Sequence, residues 1–299
     1  SICINRSENH LTVFPQMAIL GSISSFDKRR LRPSITRITT STGQIFEEVR
    51  RNDGECAYDR VFVGQGPAPQ YFEDSVQGFS ELDCQFFDKG NDKWDSISRR
   101  ALTLPPHSES DIFRLVSYNV WFSEKNWKNR AHTLLSIVEE ENADIICFQE
   151  VTQDFLDEVL LSKWVRASYV VTDARGTSTM PYGVIMLVRS TLAITRARLH
   201  TLPTNMGRRF LLCELLWCGL PLAVGTAHLE SMDNAPVREA QLRRIFDVAA
   251  STPRLILAGD FNFHAGMPEN RLLLASAADS WAAAGAAPSC RRGGPLRGG

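Results

Sequence analysis

The sequence lacks a long apolar segment, a secretory signal and an excess of either charge. Its longest nearly uncharged stretch, residues 215–227, is too short to span a bilayer and contains two glycines and a proline. No basic start followed by an apolar run indicates a signal peptide. The 33 Lys+Arg residues balance 34 Asp+Glu residues, for a net charge of −1. This balance excludes a strongly basic or acidic tail, and we expect no membrane partner.

Cysteine is sparse: there are seven, an odd number, and no Cys-x-x-Cys pair. Because this is not the pattern of a disulfide framework, the cysteines are predicted to be free and mostly buried thiols. Such thiols are typical of a reducing compartment, and we expect the protein in the nucleus or cytoplasm. A hydrophobic fraction of 43% with 22% charged residues is typical of a globular chain.

The 299 residues are enough for one large domain or two smaller ones. Residues 105–111, polar and with a Pro pair at their start, are typical of a linker. Residues 1–104 are predicted to form a smaller N-terminal α+β region of unknown function, or the tail of another domain. Residues 112–284 form the main domain, and 285–299 a low-complexity tail rich in Gly and Arg. The initial Ser and this tail indicate a fragment of a longer protein.

The main domain alternates apolar strand-like segments with segments of helical periodicity. Two predicted helices link apolar strands, whereas three middle strands follow one another directly. This pattern predicts an α/β fold in which helices cover a mixed sheet. The predicted helices contain Trp127–Val138, Phe155–Val159 and Leu242–Ala249, and the predicted strands contain Phe113–Val120, Ile145–Phe148, Tyr182–Val188, Phe210–Trp217, Leu222–Ala227 and Leu255–Ala258.

Four of these strands end abruptly in polar residues. Asn119 and Glu150 end the first two strands, and His228 and Asp260 follow two later ones. Each of these residues alone is typical of a turn, a helix N-terminus or a satisfied core position. Because sheets of this kind collect ligands at strand ends, we expect the four ends to converge on one polar site.

The residues at these ends resemble the ordered motifs of the endonuclease/exonuclease/phosphatase superfamily, over about residues 112–281. The resemblance implies a four-layer α/β sandwich, in which two mixed sheets are flanked by helices. The four motifs are Ser117-Tyr118-Asn119-Val120, Phe148-Gln149-Glu150-Val151, His228-Leu229-Glu230-Ser231 and Gly259-Asp260-Phe261-Asn262.

Further features are similar to the magnesium-dependent 5′-tyrosyl-DNA phosphodiesterases within this superfamily. They are the His-Leu-Glu-Ser form of the histidine motif, the strand Tyr182–Leu187, the segment Asn205–Arg209 and the Asp-x-Trp at 279–281. The resemblance implies a hydrolase of DNA repair that acts on nucleic acid, at DNA 5′ ends that include protein-linked ends. We expect it to act as a monomer.

The resemblance also implies metal-dependent phosphodiester hydrolysis, with Mg²⁺, or Mn²⁺ in its place, as the cofactor. Glu150 would anchor the metal, and Asn119 would hold the metal or the attacking water through its carbonyl. Asp260 would activate the water, and Asn262 would fix the phosphate and the water. His228 would stabilise the developing charge, as an imidazolium or as a neutral donor.

Three residues are candidates for substrate binding. Ser231 resembles a phosphate-contacting hydroxyl, and Arg208 lies in the segment before the next strand. His264 stands where the tyrosyl phosphodiesterases usually carry an Arg, which leaves the substrate preference open. The superfamily's closing strands and final Asp-His pair are absent, because no histidine follows Trp281. We therefore expect a C-terminally incomplete sheet and weak catalysis by this fragment.

Other interpretations stay open. A 3′-exonuclease or poly(A) deadenylase of the same superfamily would use the same residues. The missing Asp-His pair favours a catalytically decayed nucleic-acid-binding module. Within residues 1–104, His10–Val13 matches one copy of the paired 2H phosphoesterase motif. The basic cluster Lys28–Arg32 is typical of a solvated surface, and the segment Phe86–Asp95 is predicted to form a hairpin.

Overall fold

A computed structural model of the chain describes residues 78–98 and 113–278 with their side chains, except 253 and 265, and residue 99 by its backbone. It also describes the backbone of strands at 2–5, 17–21, 35–39, 44–50 and 58–65, and of residues 112 and 279.

Two seven-stranded mixed sheets form the centre of the structure. The first sheet has the order β1-β9-β10-β12-β11-β7-β8, in which β9 and β10 are parallel and the other pairs are antiparallel. Its strands are β1 (Ile2–Asn5), β7 (Gln85–Asp88), β8 (Lys93–Ser96), β9 (Ile112–Asn119), β10 (Ile145–Val151), β11 (Tyr169–Val171) and β12 (Gly183–Arg189).

The second sheet has the order β17-β2-β16-β15-β14-β13-β6, and β15, β16, β2 and β17 are parallel neighbours. Its strands are β2 (Met17–Gly21), β6 (Phe79–Glu81), β13 (Ala193–Thr201), β14 (Arg209–Trp217), β15 (Leu220–His228), β16 (Leu255–Asp260) and β17 (Ala278–Asp279). A separate antiparallel sheet contains β3 (Ile35–Thr39), β4 (Gln44–Arg50) and β5 (Tyr58–Gln65).

In the part of the chain that the structure describes, five α-helices cover the outer faces of the two large sheets. They are α1 (Trp127–Glu141), α2 (Gln153–Leu161), α3 (Lys163–Ser168), α4 (Ala235–Ala249) and α5 (Pro268–Ser276), and a 3₁₀ helix spans Ile97–Arg99. The apolar residues of α1, α2 and α3 pack on the first sheet, and those of α4 and α5 on the second. A third apolar cluster joins the inner faces of the two sheets, with Phe113 and Met186 on one side and Leu211 and Val224 on the other.

This arrangement of helices, sheet, sheet and helices confirms the expected four-layer α/β sandwich. The three predicted helices and the six predicted strands of the main domain are present, and Phe86–Asp95 forms the predicted hairpin. Periodicity missed β13, because Arg196 and Arg198 interrupt its apolar run. It also missed the short elements α3, α5, β11 and β17.

Strands from both sides of the predicted linker belong to the same two sheets. β6 pairs with β13, β7 pairs with β11, β1 pairs with β9, and β2 pairs with β16. The residues before 105 therefore contribute edge and inner strands to the sandwich. The linker 105–111, the tail 285–299, the motif His10–Val13 and the cluster Lys28–Arg32 lie outside the described residues.

Four cysteines have described side chains, at positions 84, 147, 213 and 218, and all four are free thiols. Burial raises the pKa of Cys84 and of Cys147 to about 12, so both stay protonated at neutral pH. No helix within the described ranges is long and apolar enough to cross a membrane.

Candidate active site

Parallel pairing brings the four polar strand ends to one edge. Asn119 at the end of β9 is in register with Gln149 of β10, one residue before Glu150. His228 at the end of β15 is in register with Asp260 of β16. Because the two sheets pack face to face, the two pairs of ends meet.

Glu150 reaches the site through an irregularity in its strand. Its φ is 59°, and the register of β10 against β12 shifts between Gln149 and Val151. A left-handed residue in a strand is strained, and a bulge of this kind redirects a side chain. The Glu150 carboxylate accepts a hydrogen bond from the backbone N–H of Phe122 at 2.9 Å. The local strain is therefore offset by contacts that hold this one carboxylate.

The amide of Asn119 joins two carboxylates. Its Nδ2 donates to Oε1 of Glu150 and to Oδ2 of Asp260, at 3.0 Å each. Its Oδ1 accepts from the backbone N–H of Trp121 at 2.9 Å, which is consistent with this orientation of the amide. One neutral side chain thus holds two acids from opposite sheets within reach of each other.

Asp260 depends on the glycine before it. A Cβ on Gly259 would lie 2.0 Å from the carbonyl oxygen of Ala227, and its φ is 153°. Only glycine allows the two strands to approach this closely at the site. The backbone N–H of Asn262 donates to Oδ1 of Asp260 at 3.1 Å, and the Asn262 side chain donates to the carbonyl of Leu229 at 2.9 Å.

His228 is buried and is paired with a cation. Nη1 of Arg208 lies 2.8 Å from Nδ1 of His228. Because a guanidinium has donors only, Nδ1 is the acceptor, and the proton of the neutral ring lies on Nε2. Burial and then the charge of Arg208 hold the pKa of His228 well below its usual range. Of the two predicted forms of this residue, the structure therefore favours the neutral donor over the imidazolium.

The buried side chain of Arg208 has N–H donors without a strong hydrogen-bond acceptor. It is 7% exposed, and its Nε is buried without an acceptor. Its Nη2 contacts the sulfur of Met206 at 3.7 Å, a weak acceptor. Among the described residues, no carboxylate accepts a hydrogen bond from it. A buried guanidinium in this state suits an anionic ligand.

A pocket opens in front of the Arg208–His228 pair. Tyr182, Gly183, Met180 and Met206 line it with them. The guanidinium of Arg208 lies 5.5 Å from the centre of the Tyr182 ring, and Phe122 stacks on that ring at 4.7 Å. The pocket is therefore cationic at its base and aromatic along one wall.

A fully buried carboxylate holds the loop that carries Arg208. Glu230 accepts from the Thr204 hydroxyl at 2.7 Å and from the backbone N–H of Asn205 at 2.9 Å. The Thr204 hydroxyl in turn accepts from the backbone N–H of Met206 and of Arg208, at 3.0 Å each. The position of Arg208 is thus set by Thr204 and Glu230.

Two polar residues of α4 hold the other side of this network. The side chain of Gln241 accepts from the backbone N–H of Glu230 at 2.8 Å and donates to the carbonyl of Pro203 at 2.9 Å. Arg238 donates to the carbonyls of Glu230 and Met232, and its ion pair with Glu269 of α5 is fully buried. Burying an ion pair costs free energy unless additional hydrogen bonds satisfy both groups. Here the pair connects both helices to the loop after His228.

The carboxylate of Glu150 is buried beside a second acid, Asp260. Burial raises the pKa of Glu150, the charge of Asp260 raises it further, and hydrogen bonds from Asn119 and Phe122 and the charge of Arg208 lower it. A divalent cation between the two acids would compensate their burial and repulsion. Within the described ranges, no group of three His, Cys, Asp or Glu residues has a metal-binding arrangement. Two carboxylates and an amide still fit Mg²⁺, which keeps several waters and needs few protein ligands.

The structure brings most of the predicted site residues together. Hydrogen bonds or close contacts join Asn119, Glu150, Asp260, His228 and Arg208, and Asn262 adjoins Asp260. The Ser231 hydroxyl contacts the sulfur of Met206, which also contacts Arg208.

His264 lies apart from this cluster. It is exposed, and its Nδ1 accepts from the backbone N–H of Gly266 at 3.1 Å. Among the described residues, no hydrogen bond links it to the other site residues. Its predicted contact with the substrate remains a prediction.

The sequence patterns do not identify the residues that support the loops of the site. Arg238 lies on the buried face of α4 at the same helical spacing as Leu242, Ile245 and Ala249. A charged residue on an otherwise apolar helix face is the pattern that could have identified it. Glu230 belongs to the His-Leu-Glu-Ser motif, but neither its burial nor its partners can be inferred from spacing.

The sequence pattern of the Endonuclease/Exonuclease/phosphatase family matches residues 116–297. No curated protein sequence matches the chain significantly.

Several solved structures are similar at low identity. The structure of D. rerio TDP2 complexed with single strand DNA product has 22% identity and a TM-score of 0.45, and the match covers 59% of this chain and 66% of that one. The human Nocturnin catalytic domain with bound sulfate has 18% identity and a TM-score of 0.47, over 55% and 69%. A mutant beta toxin from Staphylococcus aureus with bound magnesium ions has 19% identity and a TM-score of 0.45, over 55% and 69%. The chain spans roughly two thirds of each of these structures.

Proposed function

The chain belongs to the endonuclease/exonuclease/phosphatase family, whose members are generally hydrolases of phosphodiester bonds, and we propose a function of this class for its site. We propose that it hydrolyses phosphodiester bonds at nucleic-acid ends with the help of Mg²⁺ or Mn²⁺. The proposed preferred substrate is a DNA 5′ end linked to tyrosine, as in DNA repair.

One observation carries this proposal. The Asn119 amide holds the carboxylates of Glu150 and Asp260 together, beside a buried Arg208–His228 pair. Two acids held together favour a divalent cation, and a buried guanidinium with a free donor favours an anion. A site that accepts both at adjacent positions suits a metal-bound phosphate.

The metal would be held by Glu150, with Asn119 contributing its carbonyl oxygen. In this structure that oxygen accepts a hydrogen bond from Trp121 while Nδ2 faces both carboxylates, so the amide would turn over to present its oxygen to the cation. When bound, the cation supplies Lewis-acid polarisation of a phosphate oxygen and of the leaving group.

The remaining residues have roles that follow from their donors and acceptors. Asp260 would accept the proton of the attacking water, and Asn262 would help to fix that water and the phosphate. His228 would donate its Nε2–H to a phosphate oxygen that gains charge, and Arg208 would neutralise the same group. The charges and donors are already in place, so little reorganisation is needed during the reaction.

Substrate selection would use the pocket in front of this pair. A tyrosyl leaving group departs as a phenolate, and a cationic pocket with an aromatic wall at Tyr182 suits such a ring. Ser231 would contact the phosphate, and exposed His264 would contact it when protonated.

The test uses the full chain with Mg²⁺ and three substrates. They are a 5′-phosphotyrosyl oligonucleotide, a plain single strand with a 3′ hydroxyl, and a poly(A) RNA. We expect tyrosine release that leaves a 5′ phosphate, and we expect Glu150→Ala and Asp260→Ala to abolish it. Glu140→Ala, an exposed carboxylate on α1, is the matched control and should keep wild-type activity.

Each of three alternative results would contradict one part of the proposed function. Digestion from the 3′ end alone would refute the tyrosyl specificity and favour an exonuclease or deadenylase. Binding of all three nucleic acids without hydrolysis would favour the decayed binding module. Full activity in the presence of a chelator would refute the metal dependence.

A further inference from the structure

Large exposed apolar side chains concentrate at the mouth of the proposed site. Seven such side chains are exposed in the described part of the chain, and three of them are Trp121, Phe122 and Met180. Met180 lines the pocket with Arg208 and His228, and Phe122 stacks on Tyr182 in its wall. The proposed hydrolysis uses none of these three side chains, and a group of exposed apolar side chains indicates a binding surface.

Each of the two aromatic rings packs against a neighbouring side chain. Phe122 lies nearly parallel to Tyr182, with an angle of 7° between the rings. The guanidinium of Arg130 lies 4.4 Å from the centre of the Trp121 ring and donates to the carbonyls of Trp121 and Ser123, at 2.9 and 2.7 Å. Each ring therefore has one supported side, and Trp121 and Phe122 are still 41% and 40% exposed.

These rings are attached to the candidate metal ligands. The backbone N–H of Trp121 donates to Asn119, and the backbone N–H of Phe122 donates to Glu150, each at 2.9 Å. A group stacked on either ring would lie close to the phosphate that the site binds. The guanidinium of Arg130 lies against Trp121 and that of Arg208 lies against Tyr182, so positive charge lies beside the aromatic rings.

We propose that Trp121 and Phe122 form a stacking platform for unpaired nucleobases next to the scissile phosphate, and that the substrate is therefore a single-stranded nucleic-acid end. This inference rests on the proposed function. Every base has a flat face that can stack on an aromatic ring, and Arg208 in the adjacent pocket suits the phosphate. A duplex end exposes one face of its terminal base pair and neither face of the next pair, so its bases cannot stack on both rings of the platform.

The experiment measures kcat/KM for two matched single strands that carry the same 5′-phosphotyrosyl group. One has ordinary bases at its first two positions, and the other has abasic residues there. We expect the wild type to prefer the strand with bases by about tenfold or more, from the usual strength of base–aromatic stacking. Trp121→Ala and Phe122→Ala should each reduce this preference, and Trp121→Phe and Phe122→Tyr should restore most of it. Phe79→Ala, an equally exposed aromatic residue on β6, should keep the wild-type preference.

Binding is measured in parallel, by fluorescence anisotropy of dye-labelled strands of DNA and of RNA with the same sequence. If the wild type hydrolyses both substrates but Trp121→Ala and Phe122→Ala keep the full preference for bases, the platform is refuted and the proposed function stands. If nothing is hydrolysed but both variants bind the strand with bases more weakly, the platform stands and the proposed function fails. Tighter binding of DNA or of RNA identifies which nucleic acid is used, and tighter binding of a blunt duplex than of either single strand would overturn the proposal.

Discussion

Arg208 donates a hydrogen bond to Nδ1 of His228 over 2.8 Å, and this contact determines the tautomer of the histidine. Because the ring is buried beside a permanent cation, it is held neutral with its proton on Nε2. The free Nε2–H is then available to a phosphate oxygen.

The first prediction concerns this tautomer. Nitrogen-15 NMR of the His228 ring at pH 7 should show Nε2 protonated and Nδ1 unprotonated. Arg208→Met, which removes the donor and keeps an apolar chain, should abolish the strong preference for this form. A doubly protonated ring in the wild type would contradict the assignment.

The second prediction concerns metal removal. Because two carboxylates from opposite sheets face each other, a bound cation should stabilise the fold by mass action, by about 2.7 kcal/mol at a hundredfold excess over Kd. Thermal unfolding with and without Mg²⁺ measures this effect. Glu150→Gln should remove the increase in Tm, whereas the exposed control Glu140→Gln should keep it. An equal increase in all three proteins would show that the cation binds elsewhere.

The third prediction concerns the loop that carries Arg208. Thr204→Ala removes the hydroxyl that links Glu230 to the backbone of Met206 and Arg208, so Arg208 should become less well positioned. We expect KM to rise about tenfold, as for the loss of one or two buried hydrogen bonds. Thr204→Ser keeps the hydroxyl and should behave like the wild type. Equal effects of both variants would assign the residue a packing role only.

The fourth prediction concerns stability in acid. Burial, with the charges of Arg198, Arg244 and Arg196, lowers the pKa of His200 to about 4, against the opposing charge of Glu81. The unfolded chain takes up this proton near pH 6.5 and the folded chain only near pH 4, so stability is lost as the pH falls between these values. The loss should be about 2 to 3 kcal/mol by pH 4.5.

His200→Phe tests this linkage, because the ring lies between Phe79 and Phe210 and neither of its nitrogens has a partner among the described residues. Urea unfolding at pH 7.5 and pH 4.5 should show a smaller loss of stability in the variant than in the wild type. Identical losses would mean that other groups cause the acid sensitivity.

The fifth prediction concerns Gly259. A Cβ there would lie 2.0 Å from a backbone oxygen, so Gly259→Ala should destabilise the fold by about 3 kcal/mol and displace Asp260. Gly219 also has a positive φ, of 73°, but nothing lies within 4 Å of its added Cβ. Gly219→Ala should therefore cost only about 1 kcal/mol, from the backbone alone. Urea unfolding measures the loss of unfolding free energy in both variants. Equal losses would show that the close approach of the strands at Gly259 does not add to the effect of the substitution.

Patterns along the chain were sufficient to predict the α/β class, most of the strands and helices of the main domain, and the polar residues that end four strands. These follow from local periodicity and from abrupt changes between apolar and polar residues, which any segment shows without its neighbours. The order of the motifs was likewise sufficient to indicate the family.

The contacts among these residues depend on the folded arrangement of distant segments. The bridge from Asn119 to two acids joins opposite sheets, and the contacts of Glu230, Gln241 and Arg238 join a loop to two helices. Strands before residue 100 entered the same sheets as the main domain, although composition suggested a separate region. Contacts of this kind depend on sheet pairing and burial between distant segments, which spacing along the chain does not contain.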